Sequence, residues 1–597
     1  MMMNGIIKHK AFLTALFILI ISSCAKIVPP AGGPKDTAPP QVVKSLPPPG
    51  TLFFTGSNIS VTFNEYIVFD KLNEKFMISP PMTVKPEITL KGKTMRIEFR
   101  EKLRDSSTYT LYFQDAIRDL NEGNPLVNYQ YVFSTGAYLD SLSVTGNVLL
   151  AENLNPEKNV LVMLHKELAD SAPRRMIPDY ITLAGEDGYF RINNVGAGRY
   201  RLYSLIDNNN NKRYDLQDEA FAFYGEVIDV DPDSDYITPQ SDSLMKAEKA
   251  DTSKPERVEE GRYRLFLFTA PMKKYYLTSS SRNMPYQLVY TLSRRPDTLG
   301  FEFIAGGEKG FLTERSTGGD TLTIWLTDSL LWKKQELTTL IKYPFTDSTG
   351  KIVYRTDTIP MRYFAAKPVR GGREPKNSYK VSVNLTGGTL KPGQTIFFDS
   401  QLPFRLPDTS KIKLYMVEKE KKTDVPYNLV SDTASLHRYF LRAALREEMK
   451  YLLITDRGAF LSIYGDMSDS AGYAFTVRPS TSYGHLTMDI RNGEGKMIVQ
   501  LLDNTERLIA EKKTEKDGPV LFPMLERGRY RVKVIYDLDG DGRWSTGDYD
   551  LGRQPEPVSY YPDEIEVKTD WEINQEWDVT KRFEKSRNLM EGKKKLP

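Results

Sequence analysis

The chain has 597 residues and carries 81 Lys and Arg against 78 Asp and Glu, a formal charge of +3 at pH 7. So small an excess gives no basic face for nucleic acid, and nucleic-acid binding is excluded as an expectation. Hydrophobic residues at 40% and aromatics at 11% suffice for packed cores, the length implies four or five domains, and a single cysteine rules out an internal disulfide framework.

The chain opens with Lys8, His9 and Lys10 and then an apolar run from Ala11 to Ile21. That is the basic start and apolar centre of a secretory signal peptide, and it falls short of the roughly 20 apolar residues a spanning helix needs. Residues 1–23 are therefore expected to be removed. Directly behind, Ile21-Ser22-Ser23-Cys24 resembles the bacterial lipobox, which implies that Cys24 is acylated and becomes the first mature residue. Lipidation also accounts for a lone cysteine in an oxidising compartment. At about 0.8 kcal/mol per buried methylene, two or more acyl chains make such an anchor permanent.

Pro29-Pro30-Ala31-Gly32-Gly33-Pro34 follows, then Pro39-Pro40 and Pro47-Pro48-Pro49; such a stretch reads as an extended tether, with residues 24–38 as its core. The start resembles Bacteroidetes-type lipoproteins. Their surface-displayed members often carry an acidic cluster after the cysteine, and Ala25-Lys26-Ile27-Val28 is not acidic. The resemblance thus implies an outer-membrane, lipid-anchored protein of the cell envelope, with the periplasmic face favoured over the cell surface.

Beyond the tether, runs such as Ile59–Phe63, Tyr109–Phe113 and Tyr129–Phe133 alternate apolar and polar residues with the period of two of half-buried strands. Such runs recur along the whole chain between Gly, Pro, Asn and Asp turns. Only short segments such as Ala434 to Arg446 read as helical, so the fold class is all-β.

Pro39-Pro40, Phe63-Asn64-Glu65-Tyr66-Ile67, Ser79-Pro80, Gly92–Ile97, Ile117–Asn124 and Phe133-Ser134-Thr135-Gly136 together resemble the bacterial Ig-like module of S-layer and other surface proteins, over 39–136. A second pattern is an internal repeat. Asp187-Gly188 precedes Gly198-Arg199-Tyr200-Arg201-Leu202 by the interval at which Asp517-Gly518 precedes Gly528-Arg529-Tyr530-Arg531-Val532, and each copy runs on into an acidic loop. This meander resembles the transthyretin-like or carboxypeptidase-regulatory-like sandwich, over 141–230 and 484–580. Between the copies, 261–366 reads as another β-sandwich and 378–477 as a sandwich partly resembling the first Ig-like module. Linkers fall at 231–260 and 367–377, and 581–597 forms a basic tail. The expected picture is a string of tandem Ig-like and transthyretin-like sandwiches on a lipidated N-terminal tether.

The sharpest motif is the run from Asp537 to Asp548. Asp537, Asp539 and Asp541 occupy positions one, three and five of an EF-hand-type loop, Gly542 the sixth, Ser545 the ninth and Asp548 the twelfth. Calcium needs six or more hard oxygens, and alternating carboxylates on a tight turn converge them. Arg543 would offer its carbonyl and Ser545 would hold a water. The first repeat keeps the register with less charge: Asp207, Asn209, Asn211, Asp215 and Asp218, with Lys212 at the glycine position. Asp/Asn/Gly runs also form solvated turns without any metal, so calcium and metal-free turns both stand as readings of the two loops.

No G-x-S-x-G elbow, P-loop or H-E-x-x-H helix occurs. His165, His437 and His485 fall in separate modules and read as isolated. Of the tryptophans, Trp544, inside the acidic loop, is expected to be partly exposed. The sequence therefore reads as a non-catalytic envelope scaffold or adaptor whose partners are the membrane, through its lipid, and other envelope proteins. An adhesive or carbohydrate-binding surface lipoprotein with a glycan partner is the alternative; a hydrolase ranks third. No cofactor is expected unless the loops hold calcium.

Overall fold

The computed structural model describes residues 36–232, 261–296, 302–304, 310–364, 379–385, 387–419 and 421–580. The signal segment, Cys24, most of both linkers and the basic tail lie outside them. Within them the chain is built almost wholly of strands in several sheets, with only single-turn helices. The region read as helical, 434–446, instead holds the strand Arg438–Ala443, because Phe440 and Leu441 pair across to Phe397 and Ile396. Val42–Leu46, flanked by Pro39-Pro40 and Pro47-Pro48-Pro49, is an edge strand of the first module, paired with Asn58–Phe63.

The first module sets the sheet 42–46, 58–63, 94–98, 87–91 against the sheet 130–134, 108–112, 77–79. Alternation in Asn58–Phe63 turns Ile59, Val61 and Phe63 into the core, where Phe54, Phe99, Tyr109 and Phe133 meet as a ring cluster. The fourth module repeats one device of the first. Tyr109 stacks on Phe133 and its hydroxyl accepts from the Arg104 amide at 2.7 Å, while Tyr451 stacks on Phe475 and accepts from the Arg446 amide at 2.7 Å.

The two repeats share their strand order and most of their pairings, but in the first Ala220–Phe223 also pairs with Tyr263–Thr269 and joins the strands into one sheet, whereas the second has two. Leu142–Leu150 pairs antiparallel with Tyr189–Val195 and parallel with Tyr263–Thr269. In the second copy, Gly484–Arg491 pairs antiparallel with Gly518–Leu525 and parallel with Glu572–Asp578. The Gly-Arg-Tyr signature turns the chain into the central strand, and its tyrosine hydroxyl donates back four residues, Tyr200 to the Gly196 carbonyl and Tyr530 to that of Glu526. Tyr263–Thr269, read as opening the 261–366 sandwich, is the closing strand of the first repeat, since the hydrophobic face of Tyr263, Leu265 and Leu267 completes that core.

The modules do not lie on a string. In the first repeat, Leu161–His165 is buried on both faces. Val162 and Leu164 face the module's own core, and Leu161 and Met163 face a second cluster that includes Tyr549 of the last module. The last module does the same: Met497, Val499 and Leu501 turn inward, while Ile498, Leu502 and Ile535 surround Leu154 of the first repeat. The chain thus folds back, and its last module seats on its second.

The third and fourth modules are joined as well. Tyr286 stacks on Tyr464 with centroids 3.9 Å apart, and Glu314 accepts from Trp325 Nε1 at 3.1 Å and lies 2.9 Å from His437 Nε2. His437, read as isolated, is therefore paired. Burial raises the Glu314 carboxyl, but the His437 and Trp325 contacts outweigh it and hold the group below its ordinary range. A depressed carboxyl stabilises fully above its ordinary value of 4.5 and loses that contribution as pH falls below it. A double-mutant cycle of Glu314→Gln and His437→Gln at pH 7 is expected to give a coupling of about 1–2 kcal/mol, which is lost once the pH is low enough to protonate Glu314.

Candidate cation loops and the seam between the repeats

Both acidic loops leave the end of a long central strand, Gly198–Leu205 or Gly528–Tyr536, and both follow one backbone path. Positions four and six are left-handed in each: Asn210 and Lys212 at φ 59° and 60°, Gly540 and Gly542 at 75° and 77°. The first aspartate folds the loop over itself. Asp207 accepts from the Asn211 and Lys212 amides at 3.1 and 2.8 Å, and Asp537 Oδ2 accepts from the Gly542 amide at 3.0 Å.

The interiors then differ. In the first repeat, Asn209 Nδ2 and Asn211 Nδ2 donate to the two oxygens of Asp215 at 3.0 and 2.7 Å, so the loop satisfies itself. Asp218 is exposed and stands apart from this network. In the second, one carboxylate oxygen from each of Asp537, Asp539 and Asp541 lies within 4.8 Å of the others. Asp537 is 6% exposed, and its Oδ1 has no hydrogen-bond partner. Ser545, expected to hold a water, donates directly to Asp539 Oδ2 at 2.6 Å, and Arg543 contributes its amide to Asp541 Oδ1 at 2.7 Å. Asp548 does not close the loop as the twelfth position would. It is buried against Lys273, whose ammonium sits 2.7 Å from Oδ1.

A buried glutamate braces each loop, and neither was picked out from the sequence. Glu219 accepts from the Asn208, Asp215 and Leu216 amides, and Glu556 from those of Leu538, Asp539 and Ser545. Burial raises both carboxyls. Their shared role is hidden because Glu219 follows Asp207 by 12 residues while Glu556 follows Asp537 by 19. The extra residues form the turn Tyr549–Leu551, capped by Asp548, which makes the seam.

That seam is dense. The Tyr549 ring lies edge-on to Phe221, Phe223, Tyr203 and Tyr214, and its hydroxyl donates to the Asp170 carbonyl at 2.8 Å. Asp550 takes Arg174 at 2.7 Å and Lys273 at 2.8 Å. Thr546 Oγ1 donates to the Thr269 carbonyl and Gln554 Nε2 to that of Phe223, each at 2.8 Å. Trp544 is part-buried, with its indole N–H on the Glu556 carbonyl, whereas Trp571 is half exposed.

Lys212 shows what the first loop gives up. A side chain in the left-handed region costs about 1 kcal/mol, and burial, followed by the nearby Lys85, lowers the affinity of its ammonium for a proton. Lys212→Gly is expected to stabilise the protein by about 1 kcal/mol, read as a higher Tm with no change in the seam.

Among solved structures, the chain is similar to the major pilin subunit BcpA of Bacillus cereus at 7% identity, covering 73% of this chain and 98% of that one, with a TM-score of 0.13. The N-terminal part of the bacterial S-layer protein SbsC gives 14% identity, 31% and 40% coverage and 0.13. The glycan-locus protein SGBP-B of Bacteroides ovatus, in complex with a mixed-linkage heptasaccharide, gives 10%, 69% and 89%, and 0.16. Among curated proteins none matches. Residues 36–135 match the family model described as the bacterial Ig-like domain, so the first of the chain's β-sandwich modules has that family's sequence pattern.

Proposed function

We propose that the protein is a non-catalytic, lipid-anchored component of the cell envelope that serves as a multi-domain scaffold or adaptor for other envelope proteins. The observation that carries this reading is the packing of the last module onto the second. Separate modules on flexible joints would suit reach, whereas a chain whose modules share buried seams presents several surfaces in fixed relation. The bacterial Ig-like pattern of residues 36–135 and the lipobox resemblance at Cys24 support an envelope address. In this reading the lipid on Cys24 holds the N-terminal tether to the outer membrane, and the modules face the periplasm.

Proteinase K treatment of intact cells, with a lysed-cell control, tests it. Degradation only after lysis is expected. Loss from intact cells would overturn the periplasmic placement and favour an adhesive, glycan-facing protein. Cys24→Ala is expected to release the chain from the membrane fraction, and a variant that stays membrane-bound would refute the lipid anchor.

A further inference from the structure

We propose that Asp537, Asp539 and Asp541 bind a hard divalent cation of the calcium class, and that its binding stiffens the seam between the two repeats. The three carboxylates bring one oxygen each to within 4.8 Å of one another, a span that ligands about 2.3–2.6 Å from a single ion can share. The cluster alone would not decide the matter. The second observation is Asp537 itself: it is 94% buried, its Oδ2 is fixed by the Gly542 amide, and its Oδ1 meets no donor. A buried carboxylate oxygen without a partner is costly, and a cation at the triad would satisfy it. All candidate ligands are oxygens, which selects calcium-type over thiophilic or imidazole-seeking metals.

The first repeat provides an internal contrast on the same backbone. There the side chains at positions three and five are amides that donate to Asp215, so the loop is closed by its own hydrogen bonds and lacks the charge to hold an ion. In the second loop Lys496 and Lys513 bring positive charge near the turn, at Gly540 and Gly542. Both sit on flexible stems that a cation can displace toward solvent.

Coupling to the seam follows from continuity of the chain. The ligand run passes directly into Thr546, which holds the Thr269 carbonyl, and Gly547, where a Cβ would lie 2.7 Å from the Phe268 ring. Asp548 and Asp550, on Lys273, come next. Ordering the triad therefore orders the residues that grip the first repeat.

Calorimetric titration of calcium chloride into the full chain, purified in detergent and stripped with EDTA, tests the site. Binding of a single ion is expected, with a rise in Tm of about 5 °C at saturating calcium. The Asp539→Asn and Asp541→Asn double variant, which gives the second loop the side-chain chemistry of the first, is expected to lose both responses. Absence of heat and of any Tm change in the unaltered chain would overturn the site, as would an unchanged response in the double variant. For the coupling, Leu154→Asp, which opens the seam away from the triad, is expected to bind calcium at least about threefold more weakly by thermodynamic reciprocity. Equal affinity in that variant would overturn the coupling.

Discussion

Replacing Leu154 by aspartate is expected to detach the last module from the first repeat while leaving each module folded. Leu154 sits on the turn after Leu142–Leu150, yet it is fully buried among Ile498, Leu502, Ile535, Val558 and Tyr560 of the last module. Its φ of 55° is left-handed, a conformation that costs a leucine about 1–2 kcal/mol. The chain tolerates that cost because the side chain fills a closed apolar site in its neighbour. Truncation to alanine removes contacts worth about 2–5 kcal/mol, and aspartate adds an unpaired buried charge. Limited digestion with proteinase K, which cuts with little sequence preference, is the direct check: the variant should release a C-terminal fragment beginning in the segment between the fourth and fifth modules, where the unaltered chain resists. Leu154→Gly offers an internal control. It loses the same packing but relieves the backbone, so it should be no less stable than Leu154→Ala, the reverse of the usual order of glycine and alanine. A Leu154→Asp chain as resistant as its parent would mean that the seam is held by the Tyr549 side alone.

The second large effect is expected in acid. His165 is 1% exposed, lies edge-on to Tyr203 beneath the seam, and has no partner for its Nε2. Burial pushes its affinity for a proton down, to a pKa of about 4, against a small opposing pull from Asp179. In the unfolded chain the imidazole titrates near 6.5, so between these values the unfolded state binds the extra proton. Stability is then complete above pH 6.5 and falls as the pH drops from 6.5 to 4. The displacement corresponds to roughly 3 kcal/mol, a large fraction of what a domain has to spare. Denaturant unfolding from pH 7.5 to 4 should show this loss, and His165→Leu should flatten the curve over the window without raising stability at pH 7.5. The Glu314 contribution falls only below its ordinary value of 4.5, so the two groups separate along the pH axis. A His165→Leu curve as steep as the parent's would place the acid sensitivity elsewhere.

The all-β class was legible because alternation at a period of two is a local property: Ile59, Val61 and Phe63 face inward because successive strand side chains point to opposite sides. The repeat was legible for a similar reason, since the Gly-Arg-Tyr turn and the aspartate that starts each loop act through backbone groups a few residues away. The triad Asp537, Asp539, Asp541 belongs to the same local order.

What the local pattern could not assign was decided by which apolar faces found one another. Leu161-Val162-Met163-Leu164 and Met497-Ile498-Val499 do not alternate, and such runs mean that both faces of a strand are covered, but nothing in them says by what. Tyr263–Thr269 is the same kind of strand whether it opens one sandwich or closes another. Only the parallel pairing with Leu142–Leu150 across a long connection settles its place. Asp548 follows the calcium-loop spacing in sequence, yet the fold brings Lys273 within 2.7 Å of it. Glu219 and Glu556 reach equivalent positions from unequal spacings. Sequence alone determined most of the strands, the turns and the three converging aspartates, because these depend on neighbours along the chain. Tertiary structure decided the seam, the paired His437 and the buried braces, because each depends on contacts between residues far apart in sequence.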